Sequence, residues 1–371
     1  MNKKPEPIYA KIESDIQKQI KEGKLKSDQP IPSENLLSKQ YGMSRTSVRT
    51  ALENLKEQGV IYTIVGKGSF VKGYGIIKES NKRIAFIVPG LENSDFDIYK
   101  GIEDTLQEEG FTLAIYNSER SIEKENRNIK NLLHGNETGA IIFPNWGGTN
   151  ADVIYELTRV GYPFVLIDRY FPGFETDYVV TDNKKGGYMA AEYLIKLGHT
   201  RIGLLSAIQC TAIRDRIDGY QDALRDNKIL LDLALMKKVP QNDKYLKEEP
   251  SNGGYKETKE LLKEKPTAIF ATNDFLARTA LRAIREEGLS VPDDISVVGF
   301  DNQKFSGYLG LTTIAQPFYK IGAQAAKILI GKIMGKQQRK QIYLSPELVI
   351  RESCAGYKTS TPRKQKAVSV R

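Results

Sequence analysis

Apolar residues recur at spacings of three and four from Val48 through Ala51, Leu52 and Leu55, which predicts a helix beginning near Ser44. A shorter helix is predicted before it, from Ser33, whose hydroxyl can cap a free backbone N–H, to about Gln40, with Gly42 closing it. Val60–Ile64 and Ser69–Lys72 read as two short strands. Gly66-Lys67-Gly68 joins them in a hairpin whose glycines permit positive φ and close approach to another backbone. Residues 72–82 are polar and glycine-bearing, the pattern of an interdomain linker. Beyond it the character changes. Short apolar runs at Ile84–Val88, Thr112–Tyr116, Ala140–Phe143, Phe164–Ile167, Arg201–Leu205, Ala268–Ala271 and Ser296–Gly299 alternate with amphipathic helices. Strands separated by helices build doubly wound parallel sheets, so the fold class is α/β, and ligands in such sheets sit beyond the carboxyl ends of the strands.

Chemistry enters at the edges of these elements. The segments Pro30 to Glu34, Tyr41 to Arg49 and Gly66 to Val71 together describe a winged helix-turn-helix. With the apolar stripe facing inward, Arg45, Thr46, Ser47 and Arg49 lie on or near the solvent face of the first turns of the later helix, presenting its N-terminal end. Arginine pairs bidentately with guanine O6 and N7, worth roughly 1–3 kcal/mol against a wrong base. Glu34 could accept from a cytosine amino group or favour the positive end of its own helix. Lys67 suits a phosphate or a minor-groove edge, or serves as a solubilising charge. From Pro7 to Val71 the chain strongly resembles the N-terminal domain of the GntR family of bacterial transcription regulators. The resemblance implies a DNA-binding domain over residues 1–71. In it Ser33, Glu34, Arg45, Thr46, Ser47, Arg49, Gly66, Lys67 and Gly68 contact double-stranded operator DNA.

Polar groups stand at several predicted strand ends: Asp168 and Arg169, then Thr272, Asn273 and Asp274, then Asp301 and Asn302. Each alone could cap the following helix. As a set, carboxylates and amides can fork across the neighbouring hydroxyls of a sugar. Residues Arg83 to Ser353 resemble the LacI/GalR sensor domain. The markers are the segments starting at Val180, Leu197, Arg214, Pro266, Val291 and Leu311, among them Arg214-Asp-Arg-Ile-Asp-Gly-Tyr220. That resemblance implies a two-lobed, periplasmic-binding-protein-like domain over residues 83–355. Lobe 1 would take about 83–181 and 312–340, lobe 2 about 182–311 and 341–355, with the effector between them. Matched residue by residue, the effector contacts fall on Asp168, Arg216, Asn273 and Asp301. Phe96 and Tyr99 join them from the first strand-to-helix loop, with ordinary loop packing as the alternative, and Gln241 to Gly254 departs from the family pattern. A GntR head on such a body is an uncommon pairing and resembles arabinose-responsive members of the GntR family. The expectation is therefore a homodimeric repressor of carbohydrate-utilisation genes, released from its operator by L-arabinose. The same architecture answering another sugar, or activating, is the alternative.

Charge and composition narrow this further. Up to Lys72 there are 13 Lys/Arg and 8 Asp/Glu, so +5 of the chain's +9 lies in its first fifth. The tail 356–371 adds five basic residues and no acid, which leaves 9 − 5 − 5 = −1 for the middle. DNA contact is thus expected at the head, with the basic tail a disordered solubility element or, as the alternative, an extra phosphate contact. With only Cys210, Cys354, His134 and His199, neither a zinc site nor a disulfide framework is expected, and no metal or cofactor. No Ser/His/Asp frame and no Gly-x-Gly-x-x-Gly after a strand is present, which argues against an enzyme. The chain shows no hydrophobic signal core and no apolar run near the roughly 18 residues of a membrane span, so a cytoplasmic location away from membranes is expected.

Overall fold

The structure, a computed structural model, describes residues 8–21, 24–25, 29–57, 60–64, 66–71, 82–90, 95–145, 150–206, 210–240, 253–335 and 339–357. The linker 72–82 apart from Lys82, the tail beyond Tyr357, and residues 241–252 of the departing segment lie outside the described residues.

The head is built from α1 (Ile8–Lys21), α2 (Glu34–Tyr41), α3 (Arg45–Glu57), β1 (Ile61–Ile64) and β2 (Gly68–Val71). Ser33 is extended and its Oγ accepts from the N–H of Leu36, while Gly42 at φ 63° ends α2 and donates to the Ser38 carbonyl. Ser44 caps α3 in the same way, its Oγ accepting from the N–H of Ser47 at 3.2 Å. The apolar stripe Val48, Ala51, Leu52 and Leu55 meets Ile12, Ile16, Leu37 and Ile61 in one core. The wing is the antiparallel pair β1–β2, with Ile61 opposite Val71 and Ile64 opposite Gly68. Residues 29–31 flank it, Ile31 donating to the Ser69 carbonyl and Val71 to that of Gln29.

In the body, β3 (Arg83–Val88), α4 (Asp95–Glu108), β4 (Thr112–Asn117), α5 (Ile122–Leu132), β5 (Gly139–Ile142), α6 (Ala151–Arg159), β6 (Phe164–Ile167) and β7 (Tyr178–Thr181) follow one another. With β13 (Gln341–Leu344) their strands form a parallel sheet ordered β13-β7-β6-β5-β3-β4. The second lobe holds α7 (Asn183–Lys196), β8 (Ile202–Ser206), α8 (Thr211–Asp226), β9 (Met236–Lys238), α9 (Tyr255–Lys263), β10 (Ala268–Ala271), α10 (Asp274–Glu286), β11 (Ser296–Asp301), α11 (Lys304–Tyr308) and β12 (Thr312–Ala315). With β14 (Glu347–Val349) its sheet runs β14-β12-β11-β10-β8-β9, and only the β12–β14 pairing is antiparallel. Both faces of each sheet are covered, so the central strands β5, β6 and β10 are buried throughout.

The chain returns between lobes differently from the expected division. That division places residues 312–315 in lobe 1 and 341–344 in lobe 2. Instead β12 pairs with β11 in the second sheet, and β13 pairs with β7 in the first. Between them α12 (Phe318–Ile333) sends Ile321 and Leu329 into the first lobe's core beside Ile84 and Phe86. The passages between lobes therefore lie at Thr181–Asn183, at Gln316, and between Leu344 and Glu347.

Helices α7 and α8 meet backbone to backbone. A methyl group on Gly187 would stand 2.0 Å from the Arg216 carbonyl oxygen, and one on Gly219 would stand 1.9 Å from that of Lys184. This contact carries Arg216 up to Asn183 at the start of α7. Gly219→Ala is expected to force the helices apart at a cost of about 1–3 kcal/mol or more, lowering the melting temperature by several degrees. A thermal melt of the variant that overlays the wild type would refute the contact.

Candidate effector cleft and DNA-binding head

Two carboxylates face the gap between the lobes, each on a left-handed turn at the end of a strand. Asp168 follows β6 at φ 64°, and Asp301 ends β11 at φ 113°. Asp168 Oδ2 accepts from Arg169 Nε at 3.0 Å and Nη2 at 2.9 Å, and the Arg169 guanidinium lies 4.9 Å over the Phe143 ring. Across the gap, Asp301 Oδ1 accepts from Arg216 Nη1 at 3.2 Å and from Gln316 Nε2 at 2.7 Å. Arg216 is 3% exposed, stacked 3.7 Å above Phe300. Its Nε donates to Asn183 Oδ1 at 2.9 Å and its Nη1 to the Thr272 carbonyl at 2.6 Å. A planar guanidinium held on three sides is a fixed donor array. The charge of Asp168 reaches Asp301 and helps to raise its pKa, so the two lobes bring these carboxylates into one electrostatic environment. Beside them the lobes touch directly, the Tyr170 N–H donating to Thr211 Oγ1 at 3.2 Å.

Three of the expected effector residues, Asp168, Arg216 and Asp301, thus come together. Asn273 sits at the neighbouring end of β10, but its Oδ1 caps α10 by accepting from the Leu276 N–H at 2.8 Å. Phe96, 61% exposed, stands where the second lobe's Lys304 reaches across, Nζ 5.7 Å from the ring centroid. Tyr99 packs its ring 6.0 Å from that of Phe96 but commits its hydroxyl to Glu103 on its own helix, at 2.6 Å.

In the head, Arg45, Thr46 and Arg49 are exposed on the first turns of α3, and Ser47 turns its hydroxyl to Ser44 at 3.0 Å. Glu34 takes Arg49 in a two-pronged ion pair, Oε1 to Nε at 3.3 Å and Oε2 to Nη2 at 3.0 Å, which ties α2 to α3. At the wing tip Gly66 and Gly68 have φ 78° and 107° with open space where side chains would stand, and Lys67 between them is exposed.

Two family models match the chain. The model of bacterial regulatory proteins of the gntR family matches residues 8–71, and that of the periplasmic binding protein-like domain matches residues 191–354. The arabinose metabolism transcriptional repressor of Geobacillus stearothermophilus is 31% identical over 363 residues, covering 95% of this chain and 99% of that relative. Its namesake in Halalkalibacterium halodurans is 32% identical over 378 residues, covering 95% and 98%. This chain belongs to the gntR family of bacterial regulatory proteins. A solved LacI-family transcriptional regulator from Enterococcus faecium with bound ribose superposes on this gntR-family regulator at a TM-score of 0.63 with 31% identity, covering 74% of this chain and 100% of that one. The regulator is thus a DNA-binding transcriptional repressor with a LacI-type body, not an enzyme. Among its described residues no helix is long and apolar enough to cross a membrane, and no three His, Cys, Asp or Glu side chains cluster as metal ligands would.

Several groups that shape the regulator's cleft were not picked out as site residues in the sequence. Asp274, fully buried, accepts from Thr313 Oγ1 at 2.6 Å, Ser306 Oγ at 2.6 Å and the Gln303 N–H at 2.8 Å, pinning the loop that follows Asp301. Glu125 lies fully buried with both carboxylate oxygens on the Asn145 N–H at 3.0 and 3.1 Å. It had one signal, an acid falling on the apolar stripe Ile122, Ile129 and Leu132 of α5. Arg169 and Gln316 adjoin strand ends, and Asn183 stands in the Thr181-Asp-Asn segment, but nothing local shows that they meet.

Burial pushes the Asp301 carboxyl up to about 7, with Arg216 opposing and Asp274 and Asp168 adding to the rise. Burial likewise pushes Glu125 up to about 7 against its bonds to Asn145 and the Arg169 charge. A carboxyl whose folded pKa is raised contributes stability that is complete below its unfolded value, about 4, and is lost as pH rises through its folded value. The ligand-free regulator is therefore expected to melt progressively earlier from about pH 4 to about pH 7 and to level off above. Glu125→Gln should flatten that decline, and an unaltered slope in the variant's melting curves would exclude Glu125 as a cause.

Proposed function

We propose that this regulator represses carbohydrate-utilisation genes and is released from its operator by a small sugar, L-arabinose first, bound between the lobes. Asp168 and Asp301, opposed across the cleft with Arg216 fixed beside the second, carry the reading. Arg169 occupies Oδ2 of Asp168, which leaves Oδ1 to accept a sugar hydroxyl. Arg216 and the Asn273 amide nitrogen supply donors, and Phe96 and Tyr99 offer aromatic faces at the mouth. The two arabinose repressors that align nearly end to end support L-arabinose. The ribose-bound LacI-family structure supports a second reading, D-ribose, another pentose. Moving occupancy from about 99:1 to 1:99 requires roughly 5.5 kcal/mol of differential affinity, more than one contact supplies, so the polar groups act together. The test is anisotropy of labelled DNA, selected by the protein from a random pool, with L-arabinose, D-ribose, D-xylose and galactose. Release by one sugar names the effector; DNA binding untouched by all four overturns the sugar reading.

On the DNA side, Arg45, Thr46, Ser47 and Arg49 enter the major groove, Ser33 meets a phosphate, and Gly66, Lys67 and Gly68 approach the backbone or minor groove. A homodimer through the bodies sets two heads on the half-sites of a pseudo-palindrome, in the cytoplasm where the chromosome lies. The ion pair to Arg49 supports Glu34 as the group that aims that arginine, in place of a cytosine reader. A double-mutant cycle separates the two. If Glu34 works through Arg49, Glu34→Ala weakens operator binding in the wild type and adds nothing in an Arg49→Ala background. An equal loss in both backgrounds would return Glu34 to direct readout.

A further inference from the structure

Asp274 opens α10, directly after β10, the strand beside β11 in the second sheet. Its side chain is fully buried. Oδ1 accepts from Thr313 Oγ1 at 2.6 Å, Oδ2 accepts from Ser306 Oγ at 2.6 Å and the Gln303 N–H at 2.8 Å, and the Phe300 N–H adds a fourth bond. Two of these partners are N–H groups, which only donate, and with the hydroxyls they fill the four lone-pair sites of one ionised carboxylate. Burial pushes the Asp274 pKa up, and these four bonds oppose the rise and hold the charge. Gly299 makes the room, since a methyl group there would stand 2.2 Å from Asp274 Oδ1. The donors bracket Asp301, with Phe300 before it, Gln303 and Ser306 after it, and Thr313 on the neighbouring strand β12. The clamped segment contains two successive left-handed residues, Asp301 at φ 113° and Asn302 at φ 55°, a backbone that persists only where its surroundings enforce it.

We propose that Asp274 is a positioning residue that makes sugar binding sensitive to pH near neutrality, by clamping the turn that carries Asp301 and placing a fixed negative charge behind it. Asp301 faces Arg216 from α8, Gln316 after β12, Asp168 from the first lobe and Asp274 from α10. Burial raises the Asp301 carboxyl to about 7, Arg216 opposes the rise, and the charges of Asp274 and Asp168 add to it. A sugar hydroxyl donates to a carboxylate, so affinity is full with Asp301 ionised and falls as pH drops through that value. An acidified cell then needs more sugar to lift repression. This rests on the reading that a sugar bound at Asp301 releases the heads from DNA. It adds to that reading a residue that never meets the sugar.

The experiment measures sugar affinity of the full chain by calorimetry at about pH 6 and about pH 8, on either side of the Asp301 value, with L-arabinose and D-ribose as probes. One proton linked at about pH 7 makes the wild type bind roughly tenfold more weakly at the lower pH. Asp274→Asn keeps the size of the side chain and removes its charge, so its own ratio between the two pH values is expected to shrink to about twofold, whatever its absolute affinity. Ser306→Ala removes one bond of the clamp and keeps the charge. It is expected to weaken binding at both pH values and to retain the tenfold ratio, a contrast that a merely structural role would not give. A wild-type affinity that is equal at both pH values overturns the proposal without any variant. A wild-type ratio in Asp274→Asn, or a ratio flattened equally by Ser306→Ala, overturns the role of the Asp274 charge. A wild-type protein that binds neither sugar even at the higher pH fails one level earlier, overturning the reading of these two sugars and this inference with it.

Discussion

Arg216→Lys is expected to leave operator binding unchanged and to abolish its release by sugar. The guanidinium serves Asn183, the Thr272 carbonyl and Asp301 at once while lying over Phe300. A lysine ammonium is a compact point charge that cannot span that fork. Lysine is the better probe than alanine. Removing the charge altogether would leave Asp301 buried without its partner, at about 3–5 kcal/mol of stability, and failure to respond could then be failure to fold. Charge-assisted hydrogen bonds contribute about 1.5–3 kcal/mol each. Each such bond to the sugar that the ammonium cannot make lowers sugar affinity by roughly 10–150-fold. Melting temperature and operator anisotropy read the two halves of the expectation separately. An Arg216→Lys protein released at the wild-type sugar concentration would remove Arg216 from the effector site.

Arg45→Ala is expected to have the largest single effect on the DNA side. Arg45 opens α3, exposed at the end that a recognition helix presents to base edges. A bidentate arginine–guanine pair is worth about 1–3 kcal/mol, so operator affinity should fall by roughly 5–150-fold, and discrimination should relax at one base pair only. The salt dependence separates this from a phosphate contact. Loss of a phosphate contact weakens all sequences alike and lowers the slope of log affinity against log salt by about one. Competition with single-base operator variants, at two salt concentrations, decides between the two. Uniform weakening across the variants would assign Arg45 to the backbone.

The head was legible because its signals are local. A serine before each of α2 and α3, a glycine after α2, an apolar stripe at helical spacing and two glycines at a turn each act within a few residues, and the structure shows each doing so. The central strands were legible too, since runs buried on both faces need no partner to be seen. What escaped was set by partners far away in sequence. Strands β7, β9, β12, β13 and β14 span only three or four residues, and which sheet β12 and β13 join depends on β11 and β7, not on their own composition. The site divides the same way. Asp168 and Asp301 are legible as strand-end carboxylates, and Arg216 through the resemblance to the LacI/GalR sensor domain. At Asn273 the structure shows the capping alternative, its Oδ1 accepting from the Leu276 N–H. Gln316 had no comparable mark, because an amide after a strand acquires meaning only once the lobes have folded around it, and Glu125 had only its place on the apolar stripe of α5.

The left-handed backbone at Asp168 and Asp301 also limits how this sensor can change its taste. At φ 64° and 113° a side chain branched or bulky at Cβ collides with its own backbone, and Asp, Asn and Gly are the residues that settle there at least cost. Of these three, only aspartate offers a carboxyl group. The two anchor positions are therefore nearly fixed in character by geometry before any ligand arrives. Drift toward a new sugar, or its deliberate redesign, has its freedom at the rim, at Asn273, Phe96 and Lys304, where the backbone imposes no such condition.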